Sequence, residues 1–265
     1  MKNNRSLLYP LLFSSLCLTP GLAFGADNGI RVGVERIEFS ADRGDRTVVF
    51  SEVKVGSDTQ TLVLNGARGK RKYTDDGPEF SGNRLTGTLY SKWGSVFSTK
   101  VGVSAASDSP VFANREYFGD VSVKLGGTGL VATAGAKRAE YFGDVVVNSW
   151  NAGGTYYFGR GSLMYRYSKY DAPAGTEDGH TASLRIKDAQ GDGQTQLWLG
   201  WSNPLYAYDW TPEVLSGEVK SATLRRIQPI VGNFSLDVSV GRTWYKQPFA
   251  KYEGTRYNVG VQYTW

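Results

Sequence analysis

The chain has 265 residues, including 33 Gly, 16 Tyr, 12 Phe and 7 Trp, and it is 40% hydrophobic and 21% charged. An aromatic, glycine-rich chain with few helix formers favours strands, and the lack of an apolar run of about 18 residues beyond the N-terminus excludes a bundle of membrane helices. A net charge of +5 is too mild to argue for nucleic acid, where affinity rests on many phosphate contacts.

Residues 1–25 read as a secretory signal peptide: Lys2 and Arg5, an apolar stretch over residues 7–18, a helix-breaking Pro20, then small residues at Ala23 and Gly25. The stretch is short for a membrane span, and no charged stop follows it. Cys17, the single cysteine, goes with this leader, and Leu16 stands before it where a lipoprotein signal needs a small residue. Residues 26–265 are expected to form one domain. Without disulfides, an exported domain of about 240 residues must be held by extensive pairing and packing. Loss of Lys2 and Arg5 lowers the charge to about +3.

From there almost every segment alternates apolar and polar residues with period two. Candidate strands begin near Ile30, Thr47, Gln60, Arg84, Val96, Phe118, Leu130, Val145, Ser162, His180, Gln194, Val219, Phe234 and Thr255. That makes fourteen, with twelve as the alternative, because Arg36 and Glu38 blur the first strand and the connections ADRGD and KRAEY are modest. Short turns (GSDT, KWGS, GGTG, GRGS, DAQGDG, PIVGN) alternate with longer polar segments (GARGKRKYTDDGPEFSGN, ASDSPVFANREY, DAPAGTEDG, NPLYAYDWTPEVLSGE, KQPFAKYEG). Alternation alone also fits a soluble sandwich, but sorted connections and an even strand number describe an outer-membrane barrel. The expected fold is all-β: a closed antiparallel transmembrane β-barrel with short periplasmic turns and long extracellular loops. Lipid offers no hydrogen-bond partners, so the last strand must pair with the first.

That last strand ends NVGVQYTW. Asn258, Gly260, Tyr263 and the terminal Trp265 resemble the assembly signal at the end of bacterial outer-membrane barrels. The phrases DSPVFANREYF, KYDA, TQLWLG, AYDWTPE and LRRIQP resemble the YaiO family of outer-membrane β-barrel proteins, over about residues 47–265 and most specifically in TQLWLGWSNPLYAYDWTPEVLSGEVKSATLRRIQP. The resemblance implies a barrel in the bacterial outer membrane and, by analogy with barrels that end larger exporters, a link to export of surface polysaccharide. It supplies no catalytic motif.

If each strand turns its apolar set to lipid, the inward set includes Arg31, Lys54, Lys100, Lys124, Arg166, Arg185, Lys187, Arg225 and Arg256 against Glu35, Glu52 and Asp237. Such an excess, focused by low-dielectric walls, favours anionic solutes; charges paired to fill the lumen are the competing reading. Residues 66–83 and 203–218 are the loops expected to narrow the passage. A non-conducting structural or surface-binding barrel is a second reading, with loops such as PLYAYDW as contact sites. A third is a hydrolase using the single histidine, His180, with Asp178 and Ser183 nearby, although no spacing demands that arrangement. The favoured expectation is not an enzyme. One histidine and no mature cysteine build no metal site, and neither YTDDG nor TEDG has calcium-loop spacing. Expected partners are outer-membrane lipid and lipopolysaccharide, the barrel-assembly machinery, and an anionic solute or polysaccharide, with no nucleic acid and no cofactor.

The hexapeptide EYFGDV occurs at residues 116–121 and again at 140–145. Twenty-four residues fit one strand, one turn, a second strand and a loop, so both copies are expected where strands leave the outer rim. Tyr117 and Phe118, then Tyr141 and Phe142, would sit in the aromatic belt at the headgroup level.

Overall fold

Along β1 (Gly29–Phe39), Ile30, Val32 and Val34 are exposed while Arg31, Gly33 and Glu35 are withdrawn. One strand cannot hide both sets. The computed structural model, which describes residues 28–74, 77–173, 175–190, 193–202, 218–246 and 250–265, resolves this by closing the sheet so that the apolar set faces outward. The other strands are β2 (Asp45–Gly56), β3 (Gln60–Lys72), β4 (Glu79–Trp93), β5 (Phe97–Ala106), β6 (Arg115–Leu125), β7 (Leu130–Tyr141), β8 (Val145–Phe158), β9 (Gly161–Ala172), β10 (Gly175–Lys187), β11 (Gln194–Ser202), β12 (Glu218–Val231), β13 (Phe234–Lys246) and β14 (Lys251–Thr264). Each pairs antiparallel with its sequence neighbours. β1 pairs β14 from Gly29 opposite Thr264 to Phe39 opposite Gly254. The barrel is closed and fourteen-stranded, which satisfies backbone groups that lipid cannot. The leader, Cys17 and residues 203–217 lie outside the described residues.

Arg36 and Glu38 do not end β1. They stand outward at its far end, paired at 3.0 Å, and Arg36 also reaches Asp45 at 3.5 Å, so the polarity marks where the strand leaves the hydrocarbon.

Two expected loops are largely strand. Within the segment 66–83, residues 66–72 and 79–83 form the upper half of the β3–β4 hairpin, in register from Gly66 opposite Leu85 to Lys72 opposite Glu79 and bridged outside by Lys70 to Glu79 at 2.8 Å. Residues 171–172 belong to β9 and 175–179 to β10, with Ala172 opposite Gly175. Strands that rise above the bilayer are wetted outside, so polar composition there does not distinguish strand from loop.

Both described chain ends lie on the rim of the short turns, where the Trp265 amide donates to the Asn28 carbonyl. Outward aromatics gather at two levels. Near that rim stand Trp93, Phe97, Tyr156, Phe158, Phe234 and Trp265; toward the other stand Tyr117, Trp150, Tyr165, Trp201, Trp244 and Tyr257, with exposed Leu and Val between. This is the arrangement of interface girdles around an apolar band. A concavity of about 660 Å³ lies on this lipid side between Leu89, Val103, Tyr117 and Trp150.

Candidate functional site: the barrel interior

The interior begins at the closing seam. Gly33 and Gly260 face each other across β1 and β14, so close that a Cβ on Gly33 would stand 2.7 Å from the Val259 carbonyl oxygen and 2.9 Å from the Gly260 Cα. Beside them Asp237, on β13, is fully buried. Arg225 on β12 grips it with both arms of its fork, Nε to Oδ1 at 2.7 Å and Nη2 to Oδ2 at 2.5 Å, and Arg31 on β1 reaches Oδ2 at 2.7 Å. Arg31 also donates to Asn258 Oδ1 at 3.4 Å and lies over the Phe50 ring. Four consecutive strands of the closed sheet are tied by one charge-assisted network.

A second network crosses the opposite wall. Asp120 on β6 takes Lys100 of β5 and Arg166 of β9, each at 3.7 Å, and Asn151 of β8 at 3.4 Å. Lys137 on β7 meets Glu116 on β6 at 2.5 Å. Between the walls lies a cavity of about 170 Å³, bordered by Lys100, Asp120, Arg166, Arg256, Trp198 and Tyr245.

Toward the outer mouth the chain between β5 and β6 folds inward. In residues 107–114 the sequence Ser109 to Ala113 is buried, and Phe112 is 1% exposed. It packs with Val111 on Val48, Ala67, Phe50 and Phe80. Glycines make the seat: a Cβ on Gly69 would meet Val111 Cγ1 at 2.6 Å and Phe112 Cζ at 2.8 Å, and one on Gly82 would meet Ser109 Oγ at 2.5 Å. The Phe112 ring carries the Arg84 guanidinium at 4.8 Å and that of Arg46 at 5.3 Å. Arg71, nearby, donates Nη1 to the carbonyls of Asp45 (2.9 Å) and Lys72 (2.7 Å) and lies over Phe39 and Tyr73.

All nine basic positions singled out in the sequence fall on the inward register. Arg31 and Arg225 join Asp237; Lys100 and Arg166 join Asp120; Arg256 approaches Glu35 at 3.7 Å; Arg185 hydrogen-bonds Tyr157. Lys54, Lys124 and Lys187 lie inward near the short-turn rim, the last two exposed there. Glu35 and Glu52 share that face, with Glu52 opposite Arg31. Reading apolar faces alone missed Arg46, Arg71, Arg84 and Lys137, and the acids Glu116 and Asp120, because their strand segments mix glycine and polar residues and carry no clear apolar side. The narrowing segment is residues 107–114, where the sequence points instead to 66–83 and 203–218; the first of these is hairpin, and 203–217 lie outside the described residues. The missed signal was Val111 and Phe112, two large hydrophobes inside a polar connection.

The aromatic-belt set divides. Tyr117 faces outward. Phe118 faces the interior, its ring across Gly102 and under Lys100 Nζ at 5.0 Å, and Tyr141 also turns inward, bordering the cavity. Phe142 sits in the β7–β8 turn. Phe118 and Tyr141 therefore do not belong to an outward belt: strand parity sets their side. In the terminal signal, Asn258 and Gly260 face inward, and Tyr263 stacks on Trp265 and meets Phe234 at a tilt.

His180 points outward. Its Nδ1 is 2.8 Å from the Tyr165 hydroxyl, its ring stacks on Trp201 at 5.1 Å, and Tyr167 beside it donates to Asp178 at 2.5 Å. Ser183, three residues on, is inward and buried. The sheet separates the two, so they do not form a nucleophile and base.

The chain matches the model of the YaiO membrane beta barrel domain over residues 27–209, leaving β12 to β14 beyond the matched segment. Among solved structures, it resembles the CymD monoaromatic hydrocarbon channel (7% identity, 90% of this chain and 88% of that one, TM-score 0.59). It also resembles a bacterial polysaccharide outer membrane secretin (7%, 90% and 98%, TM-score 0.55) and the translocator domain of autotransporter NalP from Neisseria meningitidis (13%, 93% and 92%, TM-score 0.54). At these identities the likeness is one of fold. A closed fourteen-stranded barrel with two aromatic girdles and a family match over most of its length belongs to the YaiO membrane beta barrel family and resides in the bacterial outer membrane.

Proposed function

We propose that this barrel is a small, non-catalytic conduit that passes anionic solutes across the outer membrane. The observation carrying this reading is the inward register: Arg31, Lys54, Lys100, Arg166, Arg185, Arg225 and Arg256, joined by Arg46, Arg71, Arg84 and Lys137, line the interior against Glu35, Glu52, Glu116, Asp120 and Asp237. Pairing removes part of that charge, and the remainder is basic. In a lumen walled by low dielectric, residual positive charge raises the local concentration of anions and repels cations. Segments of acidic surface polysaccharide are the passengers that fit this chemistry and the resemblance to exporter-ending barrels. On this reading the surrounding partners are outer-membrane lipid and lipopolysaccharide, with the assembly machinery engaging β14.

Purified protein in a planar bilayer tests it. Discrete openings with a reversal potential shifted toward the anion potential in a salt gradient are expected. Cation selectivity would sink the reading. A second reading, a barrel closed by its own chain, is favoured by the burial of Ser109 to Ala113 in the mouth; silence of the wild type in the bilayer that gives way to openings once residues 107–114 are deleted would establish it.

A further inference from the structure

The outer half of the interior holds guanidiniums with fewer acceptors than donors. Arg46 is 2% exposed, yet its Nε and Nη1 have no hydrogen-bond partner among the described residues. The nearest carboxylate oxygen, on Glu35, is 3.6 Å from Nη1, and the same carboxylate lies 3.7 Å from Arg256. Arg84 likewise buries Nε without a partner. A buried donor left unmade costs more than a hydrogen bond returns, and a buried charge more still. An apolar residue of similar volume is often neutral or stabilising in such a place, so a retained, uncompensated guanidinium points to a role beyond packing. The face of Phe112 holds both guanidiniums but accepts no hydrogen bond from them.

We propose that Arg46 and Arg84 form an oxyanion site behind Phe112, one that takes a phosphoryl group by charge-assisted, forked hydrogen bonding. The site deepens the conduit reading and rests on it only for how the anion arrives. Both side chains project to the interior, so the phosphoryl group comes from a solute in the passage. The same chemistry on the headgroup of lipopolysaccharide is the other source, and it would have to reach the site from the outer mouth.

The test is equilibrium binding of inorganic phosphate to the folded, detergent-solubilised barrel, read by calorimetry at constant ionic strength against chloride. Wild type is expected to bind. Arg46→Gln and Arg84→Gln should each weaken phosphate at least about tenfold, Arg84→Lys should weaken it less, and Phe112→Ala, which uncovers the donors, should tighten it. Arg138→Gln, an outward residue already paired with Glu140, should bind as wild type does. Retained heat-modifiable migration shows that each variant still folds. Equal binding across wild type, Arg46→Gln and Arg84→Gln overturns the proposal, as does loss of binding in Arg138→Gln. Binding of lipopolysaccharide that is lost in the same two variants while inorganic phosphate is ignored would overturn the solute source. Because binding needs no conduction, phosphate binding to a silent barrel sinks the conduit alone, and an anion-selective channel indifferent to these arginines sinks the site alone.

Discussion

The seam and the mouth of this barrel handle buried arginine in opposite ways. At the seam a single carboxylate, Asp237, has no exposure and is held by Arg225 and Arg31, with Asn258 adding an acceptor. At the mouth Arg46 and Arg256 share Glu35 at 3.6 and 3.7 Å, distances at which neither makes a good hydrogen bond, and Arg46 and Arg84 rest on one aromatic ring. Desolvating charge is costly, and close hydrogen-bonded geometry offsets that cost. The seam has the geometry of a structural tie, whereas the mouth keeps its charge poorly compensated, as groups kept for a ligand do.

The comparison makes its strongest prediction at Asp237. Asp237→Ala leaves Arg31 and Arg225 buried without the carboxylate that joins them, and should cost about 3–5 kcal/mol, read as a drop in unfolding free energy in urea with the barrel in micelles. Phe112→Ala at the mouth should cost about 3 kcal/mol through the void it leaves, and it should also raise single-channel conductance, which Asp237→Ala should not. Next comes Gly33→Val. Its side chain would collide with backbone of β14 and with Phe50 Cζ, 2.6 Å from the added Cβ, at a cost of about 1–3 kcal/mol. Arg46→Met should stay within about 1 kcal/mol of wild type, since an apolar chain of similar length replaces a poorly compensated ion and leaves Glu35 to Arg256. A loss at Arg46→Met as large as that at Asp237→Ala would erase the distinction between the two regions.

The two copies of EYFGDV show what could be read in advance. In the first, residues 116–121 run as continuous strand in β6, with Gly119 opposite Val101 and Ala136. In the second, Tyr141 ends β7, Gly143 and Asp144 turn through positive φ of 79° and 62°, and Val145 starts β8. Glycine permits both conformations, so the six residues cannot decide; the register of neighbouring strands does. The alternation of Ile30, Val32 and Val34 was legible because hydrocarbon outside and water inside impose opposite demands on the two faces. At Lys70 and Glu79 water is on the outside too, that contrast disappears, and strand looked like loop. Which basic residues face inward followed from parity. Their partners did not: Asp120 meets Arg166 of β9 and Lys100 of β5, a meeting set by barrel curvature and strand stagger rather than by spacing along the chain.

The smallest effect is expected outside the lumen altogether, on the short-turn rim, where a charge pair is wetted. Arg226 donates from Nη1 and Nη2 to the two oxygens of Asp188 at 2.6 and 2.5 Å, and also bonds Gln228. The hydrogen bonds from Arg226 hold the Asp188 carboxyl below its usual value, desolvation acting in the opposite sense. A carboxyl depressed in the folded state adds stability that is present above its unfolded value and is lost as pH falls through the depressed one. Relative to Asp188→Asn, wild type should therefore be slightly more stable at neutral pH, and the difference should shrink as the pH is lowered past the carboxylate range. Because the pair is solvated, salt should screen it. Raising salt at pH 7 should narrow the gap between wild type and Asp188→Asn, while the gap between wild type and Asp237→Ala, whose carboxylate meets no solvent, should persist.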